Sequence, residues 1–335
     1  MSVVTPDRIL KIGHAFQEAK VLLSAVELGL FTTLANGPLD AATLRQQLEI
    51  DARGAHDFFD ALVAIGLLDR DDDGRYTNTD EAARYLDRQQ SDYVGGELQF
   101  LNAQLYAKWD LLTPALKTGK PQSGARAAGN YPARYADQAS LEGFAKAQTT
   151  QTLSVARALA VKFPWRDYKT IIDIGAAEGC LLVEIAQNHG HLTGGGFDLP
   201  PLKPTFDRYV QEHGLSVRLC FHAGDFFQDP LPTAEVLVIG RVLHNWDLAT
   251  KTMLLTKAYD ALPKGGALIV YERLIDDERR VNAAGLLASL NMLIMTAGGF
   301  DFTGADCVGW MRDAGFHDMC VEPLTAEQSM VVGFK

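Results

Sequence analysis

The chain has little cysteine, no long apolar run, no excess of positive charge and no dinucleotide fingerprint. Its four cysteines, Cys180, Cys220, Cys307 and Cys320, include no C-x-x-C pair, so neither a disulfide framework nor a thiolate metal site is expected. The apolar stretches fall well short of the roughly 20 residues that span a bilayer. The opening Met-Ser-Val-Val-Thr-Pro-Asp lacks the n-region and h-region of a secretory signal. A cytoplasmic protein without membrane contact is the expectation. Lys plus Arg number 31 against 42 Asp plus Glu, a net charge of −11 spread along the chain. Such a surface is a poor partner for phosphate backbones, which argues against nucleic acid. No internal repeat or low-complexity stretch is present. What remains is ordinary globular composition, 47% hydrophobic and 22% charged, in 335 residues, enough for two domains.

The first part reads as helical. Residues 9 to 35 carry helical periodicity, with Val21, Leu22, Ala25, Leu28 and Leu30 on one side, ended by Asn36-Gly37-Pro38. Asp40 and Asp51 are placed to cap two further helices, running to Leu48 and Ile65. A β-hairpin follows over residues 66 to 77, turning at Asp73-Gly74. Helices followed by a hairpin make a winged-helix pattern, and some winged helices read DNA. The second capped helix, however, carries one Arg, two Asp and the adjacent Phe58 and Phe59, where a groove reader needs Lys, Arg, Asn or Gln. That face suits packing against another protein chain, so residues 1–95 are expected to form a dimerisation domain. A helical region, 96–165, holds Phe100, Tyr106, Trp109, Phe144 and Gln148, and alternating strands and helices over 166–335 predict a parallel sheet with helical flanks. A β-hairpin near residues 318 to 334 closes it.

Residues 171 to 198 carry the chemistry. A β-branched run ends in Asp173, a small-residue turn follows, a helix begins at Cys180, and a second strand ends in Asp198. Ligands of open α/β sheets bind at these carboxyl ends. Gly175 and Gly179 allow close backbone approach, and an acid 25 residues beyond the first can accept from ribose hydroxyls. The loop Gly175-Ala176-Ala177-Glu178-Gly179 is not G-x-G-x-x-G, and Asp173 would repel a pyrophosphate. Acidic strand tips instead favour S-adenosylmethionine (SAM), whose sulfonium and ammonium are cationic. Cys180, at a helix start, reads as a small buried filler rather than an activated thiol. Three later strand tips follow: one leads into Gly224-Asp225-Phe226-Phe227, where an acid can accept from an adenine amino group and an aromatic can lie on the ring. The next runs into Arg241-Val242-Leu243-His244-Asn245-Trp246-Asp247, and the third ends on Glu272.

The segments Ala-Val-Glu-Leu-Gly-Leu-Phe (25–31), Ala-Leu-Val-Ala-Ile-Gly-Leu-Leu (61–68), Gly-Phe-Asp-Leu-Pro (196–200), Gly-Asp-Phe-Phe (224–227), Arg-Val-Leu-His-Asn-Trp-Asp (241–247) and Leu-Pro-Lys-Gly-Gly (262–266) stand in order. By these the chain resembles the SAM-dependent small-molecule O-methyltransferases of the caffeic acid and acetylserotonin type, most of all the bacterial natural-product tailoring enzymes. The resemblance implies an α/β, class I methyltransferase Rossmann-like sheet behind an N-terminal, mainly helical, winged-helix dimerisation domain, and a homodimer. It implies methyl transfer to a hydroxyl of a small aromatic or polycyclic metabolite, with S-adenosylhomocysteine (SAH) as product and no metal. Cofactor contacts are implied at Asp173, Gly175, Glu178, Asp198, Leu199, Gly224, Asp225, Phe226, Arg241 and Trp246. His244 stands where the family has its general base, Glu272 where a carboxylate orients that imidazole, and Asp301 where plant members carry a second Glu. Phe144, Gln148, Asn291, Met292 and Met295 are expected to line the acceptor pocket, although the two methionines lie at helical spacing and could equally be core.

The chemistry agrees. A phenol has a pKa near 10, so at neutral pH it needs its proton removed as the methyl arrives. A histidine is suited to that task, which typically contributes 10²- to 10⁴-fold. Three departures from the family pattern stand out: alanines within the glycine loop, Asn245 for the usual Asp, and Gly299-Phe300-Asp301-Phe302 without the usual Arg and with the second Glu shortened. Two alternatives stay open: an N- or S-methyltransferase, and a SAM-binding relative with oxidative or decarboxylative activity.

Overall fold

A computed structural model describes residues 4–122 and 138–335, which form two compact units, one ending at Ala107 and the other beginning at Lys108. The first unit opens on helices Asp7–Leu28 and Leu30–Leu34, separated by Gly29 in the left-handed conformation. Strand β1 (Leu39–Asp40) precedes helices Ala41–Gln47 and Ala52–Ala64, whose N-caps are the side chains of Asp40 and Asp51. Strands β2 (Leu68–Arg70) and β3 (Arg75–Asn78) form the expected hairpin, and β1 adds to it in the order β1-β3-β2. Two residues are too few to show a period, which is why β1 left no sequence signal. Leu30, Phe31, Leu44, Phe59, Leu62 and Tyr76 make this unit's core. Beyond it, residues 95–118 are not one regular helix. An α-helical turn, a π-turn over Leu101–Leu105 and a 3₁₀ stretch over Tyr106–Leu111 precede helix Leu112–Thr118, which stops at left-handed Gly119.

The second unit is built on β4 (Thr170–Ile174), β5 (Thr193–Asp198), β6 (Leu219–Ala223), β7 (Val236–Gly240), β8 (Ala267–Glu272), β9 (His317–Pro323) and β10 (Ser329–Phe334). Their order is β6-β5-β4-β7-β8-β10-β9. The first five are parallel, and β10 runs antiparallel to both β8 and β9, which gives the closing hairpin. Strands β4, β7 and β8 are apolar on both faces because helices cover both. Side-chain alternation divides them cleanly. Ile171, Val236, Val238 and Ile269 face the layer of helices Gln138–Lys162 and Cys180–Asn188, whereas Ile172, Leu237, Ile239, Leu268 and Val270 face helices Leu248–Ala261 and Gly304–Asp313. The chain leaves β4 toward β5 on one side and later returns to β7 on the other. The crevice at the carboxyl ends of these strands is therefore the topological switch point at which ligands of such sheets bind.

Candidate active site

The turn after β4 needs left-handed backbone at Gly175 (φ 82°) and Gly179 (φ 91°). Ala177 also sits there, at φ 49°, where an alanine is strained. What holds it is Asp198, at the tip of β5: one carboxylate oxygen accepts from the Ala177 N–H at 2.9 Å and the other from the Leu199 N–H at 2.8 Å. The expected ribose acid thus also fastens the glycine loop to the neighbouring strand, a role for which residue type and spacing give no sign. A side chain at Gly175 would press on Val242, the residue leading into the His244 turn, with a Cβ 2.7 Å from its methyl.

Asp173 is buried beside Asp198, and burial together with that neighbouring charge pushes it up to about 8. Burial raises Asp198 to about 6 in spite of its two amide donors. Buried Glu178 is also raised, by desolvation. Two neighbouring acids raised by desolvation call for a cation. SAM fits that demand, since its sulfonium and ammonium would restore the ionised forms. Cys180, next in sequence, is buried and its thiol is pushed up to about 12, so it is the inert filler the sequence suggested.

The residues expected to meet the adenine lie in loops beyond the strands. Gly224 packs so closely on Phe197 that a Cβ would fall 2.4 Å from the ring, and its N–H donates to the Asp198 carbonyl. Asp225 accepts from the Phe227 N–H at 2.9 Å, turning the chain so that Phe226 and Phe227 both meet Trp246 edge-on, at ring separations of 5.8 and 4.8 Å. Phe226 and Trp246, both expected at the cofactor, are thereby brought together. Arg241 leaves β7 at φ 54°, its N–H donating to the Tyr271 carbonyl.

His244 lies in a 3₁₀ turn, Leu243–Asn245, just beyond β7. Its Nδ1 is 2.7 Å from Oε2 of Glu272, the last residue of β8, and its own N–H donates to the other Glu272 oxygen at 3.3 Å. Glu272 is 1% exposed, so this contact is made out of water, where a charged hydrogen bond is strong. With Nδ1–H donated to the carboxylate, Nε2 carries the lone pair that can take a proton. Asp301 stands with one oxygen 3.9 Å from the same Nδ1, too long for a hydrogen bond, and its other oxygen is buried without a hydrogen-bond partner among the described residues. Burial and Glu272 raise Asp301, His244 and Lys251 lower it, and the result is about 6. The structure thus brings together all three residues placed here by the sequence, with Glu272 directly bonded and Asp301 close behind. Their ligand atoms also lie within 4.8 Å of one another, a spacing that a metal ion could use.

Of the expected acceptor-pocket residues, Gln148 is half-buried on helix Gln138–Lys162, and the Phe144 side chain lies outside the described residues. Helix Ala283–Met295 carries Asn291, Met292 and Met295. Asn291 is half-buried with its side-chain oxygen buried and without a hydrogen-bond partner among the described residues, whereas Met292 and Met295 are 8% and 2% exposed.

Known proteins resemble the chain over nearly its whole length. Residues 109–317 match the family model of the O-methyltransferase domain, and residues 10–88 match that of the O-methyltransferase dimerisation domain. The chain is 39% identical to the tetracenomycin polyketide synthesis 8-O-methyl transferase TcmO of Streptomyces glaucescens, over 98% of this chain and 97% of that protein. It is 41% identical to the N,N-dimethyltransferase OxyT of Streptomyces rimosus, over 80% of this chain and 78% of that protein. Among solved structures it resembles human N-acetylserotonin methyltransferase in complex with SAM, with a TM-score of 0.91, 28% identity and coverage of 100% and 99%.

Proposed function

The chain belongs to the O-methyltransferase family, and from that premise we propose that it transfers a methyl group from SAM to a hydroxyl of a small aromatic or polycyclic metabolite. The observation that carries this reading is the 2.7 Å contact between His244 Nδ1 and buried Glu272, beyond β7 and next to the strand that carries buried Asp173, with Asp198 one strand further. Asp173, Asp198, Glu178, Leu199 and Gly175 bind the cofactor's charged and ribose parts, and Gly224, Asp225, Phe226, Arg241 and Trp246 wall its adenosyl part. When bound, SAM supplies an electrophilic methyl carbon and departs as SAH. Nε2 of His244 accepts the hydroxyl proton as the acceptor oxygen forms its bond to that carbon. Glu272 fixes the tautomer and steadies the imidazolium, the logic of an acid–histidine pair. Asp301 adds a second negative charge, and Gln148, Asn291, Met292, Met295 and Phe144 shape the acceptor pocket.

The N-terminal unit, winged-helix-like in its helices and small sheet, joins two copies. Ile9, Ile12 and Phe16 are all more than half exposed on its first helix, which supports an apolar interface there. No helix of the described residues is long and apolar enough to cross a membrane, which accords with a cytoplasmic site of action. Incubation with SAM and a panel of phenols, with SAH measured, tests the reading. SAM binding without SAH from any acceptor would contradict it.

One relative favours a second reading. OxyT is named an N,N-dimethyltransferase, and an amine acceptor more readily presents a free lone pair. In that case His244→Gln would cost less than tenfold with the true acceptor.

A further inference from the structure

Lysines are almost never fully buried unless paired, yet Lys251, one turn into helix Leu248–Ala261, is 0% exposed. Its ammonium makes two contacts that belong to different segments. Nζ donates to the Trp246 carbonyl at 2.5 Å, on the turn that carries His244. It also lies 3.3 Å from the centre of the Phe300 ring and 5.6 Å from that of Phe302, the two residues flanking Asp301. These segments touch with almost no room to spare: a Cβ at Gly299 would come within 2.6 Å of the His244 carbonyl oxygen, and one at Gly298 within 2.9 Å of Asp247. A cation held over an aromatic face away from water is attracted to it more strongly than at an exposed site, and its hydrogen bond to a carbonyl adds to that.

We propose that Lys251 is a positioning residue for methyl transfer: it pins the His244 turn to the Asp301 loop, and its charge offsets the two carboxylates that face the imidazole. Glu272 and Asp301 sustain its charge from β8 and the loop, and Asp247 does so from its own helix, against a burial that brings it down to about 8. Without the ammonium, Arg273, which also lowers Asp301, would be left to offset two buried carboxylates facing one imidazole, and the cluster would hold its proton more tightly. The base would then be blocked up to a higher pH. This inference rests on the role proposed for His244.

Lys251→Met fills a similar volume without charge, and Lys251→Arg keeps both charge and ring contact. Calorimetry with SAM reports folding, because Asp173 and Asp198 are untouched. We expect K251M to bind SAM within threefold of wild type, to lose at least tenfold in kcat with acceptor KM within threefold, and to show the acid limb of its kcat–pH profile at higher pH. K251R should recover most of kcat and restore the limb. A K251M enzyme within twofold of wild type and with an unmoved limb overturns the proposal. Should K251M fail to bind SAM, K251R decides: a wild-type profile supports the role, and a folded K251R with a displaced limb or a tenfold loss overturns it. H244Q, run in parallel, separates the two readings. If H244Q keeps its activity, the base assignment is at fault; if H244Q loses it and K251M does not, only the lysine's role falls.

Discussion

Two places in the catalytic unit bring a pair of carboxylates together out of bulk water, and they solve the resulting charge problem differently. At the tips of β4 and β5, Asp173 and Asp198 sit together, only Asp198 is helped by backbone amides, and both are raised, to about 8 and about 6. Beyond β7, Glu272 at the tip of β8 and Asp301 on the loop before helix Gly304–Asp313 face His244 and feel Lys251, and the chain supplies its own cationic groups. The first pair is left for a ligand to complete, which is what a binding site for a cationic cofactor requires. The second pair is internally balanced, which is what a group that takes up and releases a proton in each turnover requires.

The largest effect expected from this contrast is at the second pair. His244→Gln should lower kcat for a phenolic acceptor by 10²- to 10⁴-fold, the usual contribution of general-base catalysis, with SAM affinity unchanged in calorimetry. Glu272→Gln comes next, since Glu272 holds Nδ1 at 2.7 Å, whereas Asp301→Asn removes a group at 3.9 Å and should cost less. Equal losses in steady-state assays would mean that the two acids share the imidazole.

At the first pair, Asp173→Asn should weaken SAM binding by tenfold or more and yet stabilise the apoprotein. The sign follows from linkage. A carboxyl raised from 3.8 to about 8 binds more protons in the folded than in the unfolded state between those values, so its contribution is whole below 3.8 and is lost as pH rises to 8. Removing the charge at pH 8 should raise the apoprotein Tm by about 2–4 °C per kcal/mol relieved, as read by differential scanning fluorimetry. A lower Tm for D173N would show that the acid is already paired. The smallest effect is that of chelation: under the role proposed for His244, Glu272 and Asp301 in proton transfer, EDTA should leave the rate unchanged. A loss restored by a divalent ion would make that cluster a metal site.

The first pair was more legible than the second. Asp173, the glycine turn and Asp198 lie in one 26-residue stretch whose strand–turn–helix–strand pattern can be read directly, and His244 and Glu272 sit at the ends of apolar runs. The parallel sheet and its closing hairpin follow from the same alternation, and the Asp40 and Asp51 caps from residue type alone. Lys251 could not be found this way, because a lysine amid Thr250 and Thr252 reads as a solvated helix face until its burial is seen. Nor could the clamp of Asp198 on Ala177, which joins residues 21 apart across two strand ends. The burial of Met292 and Met295 depends on the packing of their helix, which residue spacing does not determine.

The most direct test of the contrast between the pairs is proton release on SAM binding, measured by calorimetry near pH 7 in buffers of different ionisation enthalpy. If the cofactor's cation completes the first pair, wild type should release about one proton more than D173N, and the SAM affinity of wild type should rise with pH up to about 8. Equal proton counts for the two proteins, with equal affinities, would contradict the account.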